Sequence, residues 1–216
     1  MPIPLLRPSG GKTRPAQTLL GPLRLDRGRV HEFCGPARHM LALILLHATS
    51  GPVVWTHPGW QTERLMCDGV APLADPGRLI LAQAHRGDDV LWTIEEALRS
   101  GAVPLAVAEL PVLPGLTAVR RLQLAAEAGA EAARALGLLP PLGLLLTPGQ
   151  GGAPGVESRW QMTPRHTPDL ARWQLARLRA RNAPPADWGV GQDSRGHPLL
   201  LQPDPQPADR SVLNSA

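Results

Sequence analysis

An α/β domain, with a mostly parallel sheet flanked by helices and further antiparallel strands toward the C-terminus, is the fold class the sequence predicts. Short apolar runs alternating with helix-period segments carry this expectation, because strands covered by helices on both faces read as nearly continuous apolar stretches. Each run is bounded by Gly, Pro or a charged residue, and the last third adds strand patterns joined by turns. A length of 216 residues suits one such domain with tails.

The strands expected in the parallel part are Val30–Cys34, Val53–Thr56, Arg78–Ala84, Val103–Glu109 and Leu142–Leu146. Between them, Asp88–Ser100 reads as a helix. It starts with two acids at the positive helix end, carries Val90, Leu91, Ile94, Ala97 and Leu98 on one side, and stops at Gly101. A second helix, Thr117 to Leu136, places Val119, Leu122, Ala126, Ala133 and Leu136 on a buried stripe and ends at Gly137. After the Gly/Pro-rich loop Pro148–Gly155, the segments Ser158–Thr163, Arg172–Arg181 and Trp188–Leu201 read as strands, with Ser194-Arg195-Gly196 as a turn. Arg172–Arg181 also fits a helix through Leu170, Trp173 and Leu178, and periodicity does not separate the two. Residues 1–27, with several prolines and a Ser9-Gly10-Gly11 cluster, read as an irregular arm, 28–201 as the core domain, and 202–216 as a disordered tail. The absence of a 20–50-residue repeat argues against a solenoid or a propeller.

Hydrophobic residues make up 43% and charged residues 19% of the chain, the balance of a globular protein rather than a disordered one. The longest apolar run, Met40 to Leu46, is far short of the roughly 20 residues a membrane helix needs. Prolines interrupt the N-terminus where a signal peptide needs a continuous apolar segment, so a cytoplasmic protein without membrane contact is expected. Cys34 and Cys67 form no CxxC pair and have no His cluster beside them. They are expected to be buried free thiols, with no disulfide framework, no metal and no cofactor. The net charge of +4, supplied almost wholly by arginine since Lys12 is the only lysine, permits nucleic-acid or acidic partners without requiring them.

The stretch Gly28-Arg29-Val30-His31-Glu32-Phe33-Cys34-Gly35-Pro36 has the form of a strand and turn leading into a phosphate-binding loop. A working P-loop reads GxxxxGK[ST]: its amides cradle phosphates at a helix N-terminus, the Lys reaches the β/γ-phosphates and the Ser/Thr holds magnesium. Here Gly35-Pro36 runs directly into Ala37-Arg38-His39-Met40-Leu41, with no Gly-Lys-Ser/Thr. Arg38 reads as a surface arginine before it reads as a phosphate ligand, and His39 as a helix-start residue. Gly10-Gly11-Lys12-Thr13 is a decoy, because Leu6 stands where the first loop glycine belongs and no strand precedes it. Val53-Val54-Trp55-Thr56-His57 supplies no carboxylate to orient a water, and Glu109 alone remains, with a helix cap or an arginine partner as its expected role. The segment from Gly28 to Pro36 resembles the start of a RecA-like P-loop, and that resemblance implies Gly35, Arg38 and Glu109 as a degenerate nucleotide site with no catalytic residues.

Arg120-Arg121 at a helix start, and Arg172, Arg177, Arg179 and Arg181 in one late segment, are the densest basic clusters. If that segment is a strand, Arg177, Arg179 and Arg181 share one face by alternation. A solvated or ion-paired surface is the simpler reading of both clusters, and a phosphate-binding stripe the sharper one. Glu95 and Arg99 read as an i,i+4 pair. Of six tryptophans, Trp55, Trp92 and Trp160 are expected in the core, and Trp60, Trp173 and Trp188 at an interface.

Further stretches are Gly51–Trp55 (GPVVW), Asp75-Pro76-Gly77-Arg78-Leu79, Leu91 through Gly101, Leu116 through Glu127, Glu157-Ser158-Arg159-Trp160, and Trp173 through Arg181 followed by Trp188. Together with the Gly28–Pro36 segment, they make roughly residues 24–201 resemble the ImuA family, RecA-like and sometimes labelled SulA-like accessory proteins of damage-induced mutagenesis. The resemblance implies a RecA-like core with Glu109 at the position of the magnesium-supporting carboxylate. It implies a non-catalytic adaptor in the SOS response to DNA damage that supports error-prone translesion synthesis. Its partners would be RecA and/or an ImuB-like inactive Y-family polymerase, beside an error-prone C-family polymerase. Thr147–Gly155 and Pro111–Gly115 match RecA's DNA-gripping loops but carry no cation, which counts against RecA-style DNA contact. The alternatives are a single-stranded DNA-binding protein, a divergent ATPase using Glu109, and a SulA-like division inhibitor.

Overall fold

The computed structural model describes residues 15–201. The Gly10–Thr13 decoy and the tail 202–216 lie outside them. Among the described residues nine strands form one sheet, in the order β11 (Pro198–Leu200), β10 (Ala186–Gln192), β9 (Trp173–Ala180), β8 (Ser158–Pro164), β3 (Arg29–Cys34), β7 (Leu142–Leu146), β6 (Leu105–Glu109), β4 (Val53–Pro58), β5 (Leu79–Ala84). Its parallel part consists of β3, β4, β5, β6, β7 and β8. β9, β10 and β11 extend it antiparallel from β8. The α/β class with a largely parallel sheet and C-terminal antiparallel strands is thus as expected. The ambiguous Arg172–Arg181 segment is a strand, laddered on both sides by β8 and β10.

Helices cover both faces. α1 (Arg38–His47) packs with Phe33, Trp55, Val107, Leu144 and Trp160 on one side of the sheet. α3 (Gly87–Ser100) and α4 (Leu116–Ala135) pack with Val30, Ala106, Ala108 and Leu145 on the other. A single turn, α2 (Cys67–Val70), lies between β4 and β5. No helix among the described residues is long and apolar enough to cross a membrane.

The expectation of an irregular arm through residue 27 is wrong from Ala16 onward. β1 (Ala16–Leu20) and β2 (Leu23–Asp26) form an antiparallel hairpin, and Leu19, Leu20, Leu23 and Leu25 are buried in the α1-side core. Two facts explain this. Gly21 supplies the positive φ of the turn, and Leu41 through Leu46 are all buried, so the side of α1 away from the sheet needs an apolar cover. Arg27 clamps the hairpin: its guanidinium donates to the carbonyls of Pro104 and Pro140 and to Gln17, and its burial lowers its pKa.

On the opposite face, α3 presents Val90, Ile94 and Leu98 to the sheet and ends at Gly101 in the left-handed conformation, as expected. In α4, Val119, Leu122, Ala126 and Ala133 are buried, but Leu136 lies beyond the last helical residue and is exposed. The two helices touch backbone to backbone. A Cβ on Gly129 would sit 1.8 Å from the Leu98 carbonyl oxygen, a distance only glycine avoids. Gly129→Ala is therefore expected to push α3 and α4 apart and cost about 3 kcal/mol of stability by overpacking, read as a lower urea midpoint with an unchanged slope.

Candidate functional site

The turn from β3 to α1 is three residues long, Gly35 to Ala37, and its amides are already used. Gly35 N donates to Gly149 O at 2.9 Å, Ala37 N to Met162 O at 3.0 Å, and Arg38 N to Gly35 O at 3.2 Å. Gly35 has φ +87, and a Cβ there would meet the Met162 carbonyl at 2.6 Å, so β8 fills the space beside the turn. Donors that a P-loop aims at phosphate are here aimed at the protein's own carbonyls. Arg38 is half-buried and reaches back toward Gly35 O at 3.5 Å.

Beneath this turn lies a residue the sequence reading assigned no role. Glu32, on the central strand β3, is fully buried. Its Oε1 accepts from Thr147 Oγ1 at 2.7 Å, Gly152 N at 2.8 Å and Ala153 N at 3.1 Å, and its Oε2 pairs with Arg159. A carboxylate in a strand whose six residues are all buried needs several donors, and the acid among Val30, Phe33 and Cys34 was the available signal. The glycine-rich loop after β7 therefore folds onto β3. Burial, helped by the Glu32 carboxylate, pushes the neighbouring Cys34 thiol up to about 12. Of the two cysteines expected to be buried, Cys34 is and Cys67 is exposed.

Glu109 ends β6 and is paired neither with an arginine nor with a helix end. Trp55 Nε1 donates to its Oε1 at 2.6 Å, and His39 Nε2 lies 3.4 Å from its Oε2. Burial alone would raise the Glu109 carboxyl, but the contacts from His39 and Trp55 outweigh it and hold the group below the usual carboxylate range. The residues of the degenerate site do gather at the C-terminal ends of the strands, where α/β folds place ligands. Glu109 and His39 also line a cavity of about 370 Å³ with Leu43, Glu63 and Met66.

The basic clusters separate. Arg121 is held by Glu95, which Arg99 also binds, so the expected i,i+4 pair is part of a triad; Arg120 is exposed. Arg177, Arg179 and Arg181 do not share a face, because a bulge at Leu178 breaks the alternation. Arg179 stands opposite Arg159, whereas Arg177 stands opposite Trp160, and adjacent positions on β8 face opposite ways. Arg177 lies over the rings of Trp160 and Trp188, at 5.5 and 5.2 Å. Arg181 faces Glu157 at 3.6 Å.

Among the tryptophans, Trp55 and Trp160 are core as expected, and Trp60, expected at an interface, is exposed. Two expectations fail. Trp92 is 61% exposed and Trp173 only 8%. Trp92 lies about 200° around the helix from Val90, so it turns away when Val90, Ile94 and Leu98 meet the sheet. Trp173 begins β9 on the inward-facing alternation with Leu175. Trp188 is half-buried beneath Arg177.

His31, beside Glu32, is buried with Nε2 against the Asp26 carbonyl at 2.9 Å, which fixes the proton on Nε2 and leaves Nδ1 to accept from Ser158 Oγ at 2.7 Å. Burial is the main cause of its lowered pKa. Below about pH 6.5 the unfolded chain takes up a proton that the folded His31 refuses. Stability is therefore full above that pH and falls on acidification, by up to about 1.4 kcal/mol per pH unit. Urea titrations between pH 7 and 5 should show this loss, and His31→Gln should flatten it.

No family model matches the chain, and no curated protein matches it significantly.

Proposed function

We propose that this chain is a non-catalytic RecA-like adaptor of the ImuA kind, acting in the cytoplasmic SOS response to support error-prone translesion synthesis. Its contacts would be RecA and/or an inactive Y-family polymerase partner. The strand order supports the RecA-like half: β3 sits centrally between β7 and β8, its turn opens α1, and β6, β4 and β5 follow outward. The observation that carries the non-catalytic half is the three-residue turn whose Gly35, Ala37 and Arg38 amides bind Gly149, Met162 and Gly35 carbonyls. An NTPase needs those donors for phosphate. Glu109, committed to Trp55 and His39, supports the same reading.

The single-stranded DNA alternative has less support, since Arg121, Arg177 and Arg181 are engaged with Glu95, the Trp160–Trp188 pair and Glu157, which leaves Arg120 and Arg179 exposed in the two clusters. The test is affinity capture of the tagged full chain from DNA-damaged cells, with nuclease present, followed by mass spectrometry. RecA or the inactive Y-family protein should be recovered in near-stoichiometric amount. A different stoichiometric partner in their place would contradict the assignment.

A further inference from the structure

The fold seals Trp55 and Trp160 in its core but leaves the indole of Trp92 on the outer side of α3. Asp88 and Asp89, four and three residues earlier, share that side of the helix. The three residues form one wall of a groove of about 440 Å³ between α3 and α4, and the small side chains of Thr117 and Ala118 form the other. Arg121 and Glu95 border it as well, but each already has a partner.

The charge of this face is one-sided. Glu95 is bound by Arg99 and Arg121, and Glu96 by Arg99. Asp88 and Asp89 take part in none of the ion pairs among the described residues. Among the residues that line the groove, three carboxylates (Asp88, Asp89 and Glu95) face one guanidinium group (Arg121), a surplus of two negative charges beside an exposed indole. The N-terminal dipole of α3 favours acids in its first turn, by about 0.3–1 kcal/mol each. It gives no reason for an uncovered tryptophan next to them. Exposed Trp at the wall of a concave groove is the composition of a binding hot spot.

We propose that this groove docks a cationic segment of a partner protein, with an arginine side chain stacked on Trp92 and its charge directed at Asp88 and Asp89. Arginine suits the site because its planar guanidinium stacks on an indole and keeps its charge when partly desolvated. The same contact already occurs within the chain, where Arg177 lies over Trp160 and Trp188. The inference deepens the adaptor reading, on which it rests for the existence of a partner, and its test needs only purified protein.

The Trp92 indole N–H resonance of the full chain, identified by its loss in Trp92→Phe, would be followed while adding a capped peptide of alternating leucine and arginine. A matched peptide with citrulline in place of arginine serves as the uncharged control. The expected result is a saturable shift with the arginine peptide and binding at least tenfold weaker with citrulline. A further loss of fivefold or more is expected in the Asp88→Asn/Asp89→Asn double variant. Equal binding of both peptides, or no saturable shift, would overturn the proposal. So would a resonance that moves with protein concentration alone, which would assign the groove to a second copy of the chain. Arginine-dependent binding alongside a failed affinity capture would uphold the groove and sink the adaptor assignment, so the two failures are distinguishable.

Discussion

A carboxylate with no access to water, placed in the middle of a nine-stranded sheet, is the constraint from which the upper end of this molecule follows. Burying one ion costs several kcal/mol even after relaxation, so roughly every lone pair of Glu32 has to find a donor. Thr147, Gly152 and Ala153 supply three and Arg159 the fourth. Three of these lie in or just before the loop after β7, so that loop is drawn over the end of β3. It needs glycine to do so: Gly151 has φ +70, and a Cβ there would lie 2.7 Å from the Glu32 carboxylate. Once the loop is down, the Gly149 carbonyl meets the Gly35 amide, and β8 brings the Met162 carbonyl to Ala37. The closed turn at the start of α1 is thus the far end of a chain of contacts that starts at one buried charge.

The two faces of the sheet are covered by different means, and the difference sets what remains available to partners. On one side the Leu41–Leu46 stretch of α1 is apolar all round and is enclosed between sheet and hairpin. On the other, α3 and α4 lie side by side, drawn close by Gly129, and each keeps an outer side in water. On these helices Glu95 holds Arg99 and Arg121, so those two arginines are not free cations.

The strands and the two long helices were legible in the sequence because their signals are local: apolar runs, a 3.6-residue period, and glycine at the helix ends. What failed depends on tertiary partners. The N-terminal hairpin carries its alternation in Leu19, Leu23 and Leu25, but prolines and the Gly21-Pro22 turn mask it, and its reason for existing is the far side of α1. β9 alternates Arg with apolar residues in a way that suits strand or helix, and only its ladders with β8 and β10 decide. The bulge at Leu178, which turns Arg177 and Arg179 to opposite faces, leaves no local trace. The short turn after β3, with no Gly-Lys-Ser/Thr, was legible in the sequence. The roles of Glu32 and of the post-β7 loop were not, because Glu32's side-chain donors lie 115 and 127 residues away.

The central claim is that the amides of the β3–α1 turn are bound to the protein's own carbonyls and so do not serve phosphate. Isothermal titration of the full chain with magnesium–ATP tests it most directly. The account predicts no saturable heat up to millimolar nucleotide. A stoichiometric isotherm with micromolar affinity would mean that the turn opens to receive phosphate, and would contradict the claim.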